Sequence, residues 1–245
     1  MREKPEILAR PDKPERPRRF YTSVEIAERE DGHAVLLDGR EIRTPGRRLV
    51  AVADASVAEA MRAEWDSQHE TIDPATMPLT RIVNTALDRV VDEMAAVRAD
   101  IIRHAGSDLL LYRAEEPTDL VAAEAEAWDP ILAWAHGTLG ADLGTTSGIV
   151  HVVQDAAALA AVENAVAPFD ALALTALHTA TTLTGSAIVA LAVARGRLTA
   201  SEAWTVAHVD EDWQMNRWGR DDVALTTRAA RWPEMAAAAL VLRAG

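Results

Sequence analysis

Two hydrophobic periods divide the chain. Between residues 19 and 53 the apolar positions fall in short runs rich in Val, Ile and Leu: RFYTSVEIAER, HAVLLDGREIRT and RRLVAVAD. Asp31-Gly32 and Asp38-Gly39 separate or interrupt these runs, and Thr44-Pro45-Gly46 adds another turn. Asp-Gly between short apolar runs signals a hairpin, because both residues tolerate the positive φ that a tight turn needs. A small antiparallel meander is the predicted product.

From Asp54 the period becomes helical. Ser56-x-x-Glu59 reads as a capping box, and Val57, Met61 and Trp65 share one stripe of a helix that ends near Gln68. Pro74 and Pro78 interrupt TIDPATMPLTR, where no regular helix is expected. Helical patterning resumes from about Leu79 to Ala105, and Gly106 ends it before DLLLYRA. Asp119 is placed to cap a helix through Trp128 and Trp134, with Pro130 as a kink or restart. ADLGTTSGIVHVV reads as irregular or briefly β. Helices are then predicted over 155–167, 170–195, 200–218 and 221–243. The fold class is α+β: a leader at 1–17, a small β-rich N-terminal domain at 18–90 with one or two helices, and a larger all-helical C-terminal domain at 91–245.

Composition changes this picture little and narrows the chemistry more. Hydrophobic residues make up 49% of the chain and charged residues 26%, as in ordinary globular proteins. The net charge is −13, while the first 20 residues hold seven basic and four acidic side chains, so the remainder carries −16. An acidic body argues against binding nucleic acid or anionic membrane. With no cysteine, thiolate metal sites and thiol catalysis are excluded. The leader lacks the apolar run of a secretory signal, and Glu3, Glu6, Asp12 and Glu15 count against a mitochondrial presequence. Residues 171–194 are free of formal charge, but five Thr, His178, Gly185 and Ser186 dilute them, so a buried core helix is expected rather than a membrane span.

No phosphate-binding loop and no nucleophile elbow occurs in the sequence. The seven histidines, at 33, 69, 104, 136, 151, 178 and 208, are scattered. His208 and Asp212 stand i,i+4 on one predicted helix face, but no third ligand lies near them, so neither a metal nor a cofactor is expected.

The densest cluster of candidate chemistry is HVDEDWQMNRWG, residues 208–219. Thr199-Ala-Ser-Glu202 is a capping box and Gly219 a stop, which predicts a single helix over 200–218. Projected at about 100° per residue, Trp204, Ala207, Met215 and Trp218 gather on one side with Glu211 in their midst. Asp210 and Asp212 fall on either flank, and Val206, Val209 and Trp213 form a second apolar side. A carboxylate within an apolar stripe costs several kcal/mol unless paired. Three readings remain open. Glu211 could pair internally with Arg81, Arg228 or Arg231; it could be a charge held for another protein; or it could be the general acid or base of a small-molecule hydrolase or lyase, with His208 or Asp212.

Several stretches resemble the assembly chaperones of the F-type ATP synthase alpha subunit, a family of mitochondria and alphaproteobacteria. They are EWDSQHETIDPATMPLTRIVNTALDRV (64–90), RRFY (18–21), LDGREIRTP (37–45), DLLLYRAEEPTDLV (108–121), EAWDPILAWA (126–135) and VDEDWQMNRWG (209–219). Residues 141–200 are less similar. The resemblance implies a binding protein rather than an enzyme. Its client would be the unassembled alpha subunit, shielded at its beta-facing interface and kept from aggregating. It also implies an important acid in the VDEDWQ motif, here Glu211 or an immediate neighbour, and an important Trp at Trp65. Candidate partner-binding residues are therefore Glu211, Asp210, Asp212, Gln214 and Trp218. Trp65, Asp66, Pro78 and Arg81 are taken as structural. The free protein is expected to be a monomer, in the bacterial cytoplasm here and the mitochondrial matrix in eukaryotic relatives.

Overall fold

The computed structural model describes residues 16–244 apart from residues 31 and 149. Most of the leader expected at 1–17 lies outside the described residues. Pro17 and Arg19 already pair with the segment after the first helix: Ile72 N–H donates to the Pro17 carbonyl at 2.8 Å, and Arg19 N–H to the Glu70 carbonyl at 3.0 Å.

The meander forms as expected. Strand β1 (Val24–Arg29) pairs antiparallel with β2 (Gly32–Leu37), which pairs in turn with β3 (Arg40–Glu41) and β4 (Ala51–Val52). The β2–β3 turn is Asp38-Gly39, with φ of 48° and 75°. Asp38 Oδ1 accepts the backbone N–H groups of Thr22 at 3.0 Å and Ser23 at 2.8 Å, which hold its carboxyl down at about 2. At the β1–β2 turn Gly32 has φ 126°, and a Cβ there would meet the Val52 carbonyl oxygen at 2.4 Å, so β4 passes too close for any side chain.

Helix α1 (Ala55–Asp66) covers the sheet with Val57, Ala58 and Met61. Its cap differs from expectation. Asp54, not Ser56, is the N-cap and accepts from Ser56 and Val57 N–H, while Glu59 pairs with Arg62 at 2.6 Å. Helix α2 (Pro78–Thr85) starts on Pro78 itself, at the first position, where the missing N–H costs nothing. It runs through a π-helical turn at Ala86–Val90 into α3 (Val91–Ala105), which kinks at Glu93 with φ −123° and ψ 21°. A short two-stranded parallel pair, β5 (Tyr112–Arg113) and β6 (Thr146–Ser147), flanks α4 (Thr118–Trp134). Asp119 does not cap α4: Pro117 stands at the N-cap and Asp119 lies in the first turn.

The remaining helices are α5 (Ala156–Val166), α6 (Ala171–Thr184), α7 (Ala187–Ala194), α8 (Ala200–Val206), α9 (Val209–Trp218) and α10 (Asp222–Ala244). The uncharged segment is core, since every residue from Ala187 to Val193 is buried, and no described helix is long and apolar enough to cross a membrane. It is two helices rather than one. Gly185 takes φ 70° and Ser186 caps α7 through Val189 N–H at 2.9 Å. The buried Asp108 carboxylate reinforces this start by accepting Ile188 N–H at 3.1 Å. Around α6 pack α2, α3, α7 and α10, and one apolar cluster runs from Tyr21 through these helices to Leu242.

Candidate functional site

The predicted helix 200–218 is broken, and the break decides the geometry of the acidic motif. The Thr199–Glu202 capping box forms and Gly219 ends the second piece, as expected. Between them, however, His208 leaves the helix at φ −122°, ψ 24°. Its Nδ1 donates to the Trp204 carbonyl at 2.6 Å, and its backbone N–H turns to the Thr205 carbonyl at 3.1 Å. The imidazole thus takes the acceptor that the next helical turn would have used, and it lies tilted at 57° against the Trp204 ring, 4.4 Å between centroids. The projection that joined Trp204 and Ala207 to Trp218 fails across this joint.

The three acids consequently have roles opposite to those projected. Glu211 is exposed and has no salt bridge among the described residues; it does not lie in an apolar stripe or meet Arg81, Arg228 or Arg231. Asp212 is the acid that pairs internally, receiving both Arg228 nitrogens of α10, Nη2 to Oδ2 at 3.3 Å. Asp210 turns inward to Glu124 of α4, which is 2% exposed. Burial, and then the Asp210 charge, push the Glu124 carboxyl up; burial also raises Asp210. His208 Nδ1 is spent on the Trp204 carbonyl and Asp212 on Arg228, and no hydrogen bond joins either to Glu211 among the described residues. No group of three metal-ligating side chains occurs among the described residues.

Glu211, Gln214 and Trp218 are spaced i, i+3, i+7 on the outer face of α9, and all three are exposed. Trp218 is 71% exposed and stands edge-on to Trp213, with ring centroids 5.3 Å apart. Arg217 lies over the Trp213 ring at 5.4 Å and reaches Asp119 at 3.2 Å. Val223, on the first turn of α10 five residues after Trp218, is 77% exposed. The result is an unpaired carboxylate next to exposed aromatic and aliphatic surface, the composition of an interaction patch. Trp128 anchors this region from below: it is buried, and its Nε1–H donates to the Val206 carbonyl at 2.9 Å.

The residues expected to be structural sit in the N-terminal half. Trp65 is half-buried against Tyr21, at 5.8 Å between centroids, and its carbonyl accepts the Tyr21 hydroxyl at 2.7 Å. Asp66 meets Arg19 at 3.6 Å and Arg62 at 3.8 Å. Arg81 pairs with Glu234 of α10 at 3.5 Å. Sequence reasoning missed Glu64. Its carboxylate accepts Leu79 N–H at 2.7 Å, Thr80 N–H at 2.8 Å and the Thr80 hydroxyl at 2.7 Å, capping α2 from a distance. Because Met77 provides no side-chain cap to α2, a remote acceptor is required. Glu124 and Asp108 were also missed; nothing in their local sequence marks a buried carboxylate.

Known proteins share this fold. The family model described as ATP12 chaperone protein matches residues 18–136. The mitochondrial protein atp12 of Schizosaccharomyces pombe is 23% identical over 214 residues, spanning 82% of this chain and 74% of its own. The crystal structure of Atp12 from Paracoccus denitrificans superposes with a TM-score of 0.85 at 43% identity, covering 92% of this chain and 97% of that one. A crystal structure from Agrobacterium tumefaciens gives a TM-score of 0.89 at 45% identity, covering 93% of this chain and 86% of that one. With two solved relatives above 40% identity along nearly its whole length, the chain belongs to the ATP12 chaperone family, a family of ATP synthase assembly chaperones.

Proposed function

We propose that the protein binds the unassembled alpha subunit of the F-type ATP synthase, covers its beta-facing interface and keeps it from aggregating until assembly, acting by binding alone and not as an enzyme. The observation that carries this reading is the outer face of α9, where Glu211, Gln214 and Trp218 are exposed together. A carboxylate with no internal partner remains fully available to a cation on a client, and the adjacent indole supplies apolar contact. Asp210 and Asp212 act from behind this face by holding α9 against α4 and α10. The bacterial cytoplasm is the proposed location and the monomer the proposed free state.

Isolated alpha subunit mixed with the protein should co-elute with it on gel filtration and scatter less light on warming. Trp218→Ala should reduce both effects while leaving the circular dichroism spectrum unchanged. Absence of co-elution, with both proteins folded, would refute the assignment of the client. Undiminished binding by Trp218→Ala would move the contact away from α9.

A further inference from the structure

We infer that Glu124 and Asp210 share a single proton, and that this proton pins the first turn of α9 to α4 and so positions the outer face of α9. The functional part of this inference rests on the reading of that face as the client surface.

Burial of Glu124, together with a buried Asp210 oxygen that has no donor, calls for a shared proton. Glu124 Oε2 accepts the Ala114 N–H at 2.8 Å, and the carboxyl sits against Asp210 where α4 packs on α9. Asp210 Oδ1 is buried and meets no N–H or O–H donor among the described residues. The nearby cations are committed elsewhere. Arg113 of β5 donates to the Leu110 carbonyl at 2.9 Å and to Asp129 of α4 at 2.8 Å, and lies over the Trp128 ring at 5.1 Å. Arg228 of α10 is taken by Asp212, and Arg217 by Asp119. His208, at the end of α8, spends its Nδ1–H on the Trp204 carbonyl. Two further charges face the pair: Glu211 adds repulsion to Asp210, and Arg113 favours the ionised form of Glu124.

Two ionised carboxylates in contact here would repel each other and leave buried lone pairs unsatisfied. One proton removes both costs and makes a charge-assisted O–H···O⁻ bond. Glu124 is the member that holds it, being the deeper of the two. Asp210, at the second position of α9, sits at the positive end of the helix dipole, where an anion is favoured.

The link matters because α9 contains no fully buried residue. Apolar burial holds it weakly, and the Asp119–Arg217 pair is exposed and contributes little. The carboxyl pair and the Asp212–Arg228 pair therefore set the angle of α9. Loss of the shared proton as pH rises turns the first of these contacts repulsive and frees the helix start.

The test is hydrogen exchange of the backbone amides of residues 209–218 across pH, corrected for intrinsic exchange rates, on the free full-length protein. Wild-type protection should fall as pH rises. Glu124→Gln, which still donates to Asp210 and carries no charge, should stay protected and lose this pH dependence. Glu124→Ala should lower protection about tenfold or more at low pH, where the shared proton is present in wild type. Infrared difference spectra of wild type against Glu124→Gln should show a protonated carboxyl stretch. Should Glu124→Gln not fold, Asp210→Asn neutralises the other member and is expected to give the same flat profile. Equal pH dependence in wild type and a neutralised variant, or no carboxyl band, would overturn the shared proton. The client plays no part in these measurements, so a client contact lying elsewhere would leave their outcome unchanged.

Discussion

Glu211→Lys separates a client-facing carboxylate from a structural one. The side chain is exposed and forms no salt bridge among the described residues, so charge reversal breaks no internal pair. What it loses is the favourable position of an acid at the third residue of α9, worth about 0.3–1 kcal/mol when exposed. It regains part of this by relieving repulsion with Asp210. The net cost is then about 1 kcal/mol or less, which for a chain of this size lowers Tm by no more than about 2–4 °C. If Glu211 meets a cation on the alpha subunit, the reversed pair costs about 2 kcal/mol or more and raises Kd about 30-fold or more. Asp212→Ala provides the contrast. It strands Arg228, whose side chain is 17% exposed, while Asp212 itself is 38% exposed. Removing one member of a buried pair costs about 3–5 kcal/mol, which solvent access at Asp212 reduces to about 1–3 kcal/mol. Thermal unfolding by circular dichroism and an anisotropy titration of alpha subunit, at one fixed salt concentration, measure the two quantities. Glu211→Lys should affect binding and Asp212→Ala stability. A Tm loss for Glu211→Lys equal to that of Asp212→Ala, or an unchanged Kd, would refute the reasoning.

Three further outcomes are expected. Trp128→Phe removes the indole bond to Val206 and opens a cavity beneath α8, and should lower the unfolding free energy in urea by about 1–3 kcal/mol. Gly32→Ala should destabilise by more than the ordinary glycine-to-alanine cost of about 1 kcal/mol, because φ is positive and the new Cβ meets the Val52 carbonyl; a melting temperature equal to wild type would contradict the close passage of β4. Burial pushes the Asp108 carboxyl up to about 6 from 3.8, so the folded state binds this proton more tightly than the unfolded chain does. The group therefore adds stability at low pH and withdraws it as pH rises through about 6, and the urea midpoint of wild type relative to Asp108→Asn should fall over that window; parallel profiles would exclude the shift.

Several local signals hold in the structure, because the residues that carry them act on their own neighbours. Asp38-Gly39 makes its turn, Thr199–Glu202 caps its helix, and Gly219 ends α9, because each motif satisfies backbone groups within a few residues. The uncharged stretch 171–194 is core, since uncharged residues in series have nothing to gain from water. Errors arose where a distant or competing group intervened. Asp54 outcompeted Ser56 for the start of α1, and Glu64 reached α2 from 15 residues away. His208 removed the Trp204 carbonyl from a helix that its periodicity would have continued.

Of the three acids in VDEDWQ, then, the sequence by itself determined the type and spacing: three carboxylates in a row must point in three directions around any helix. Only the tertiary structure decided which direction faced what. Asp210 met Glu124 because α4 lies there, and Asp212 met Arg228 because α10 folds back alongside. Glu211 was left to solvent, because partners more than a dozen residues away in the chain are set by packing and not by local periodicity.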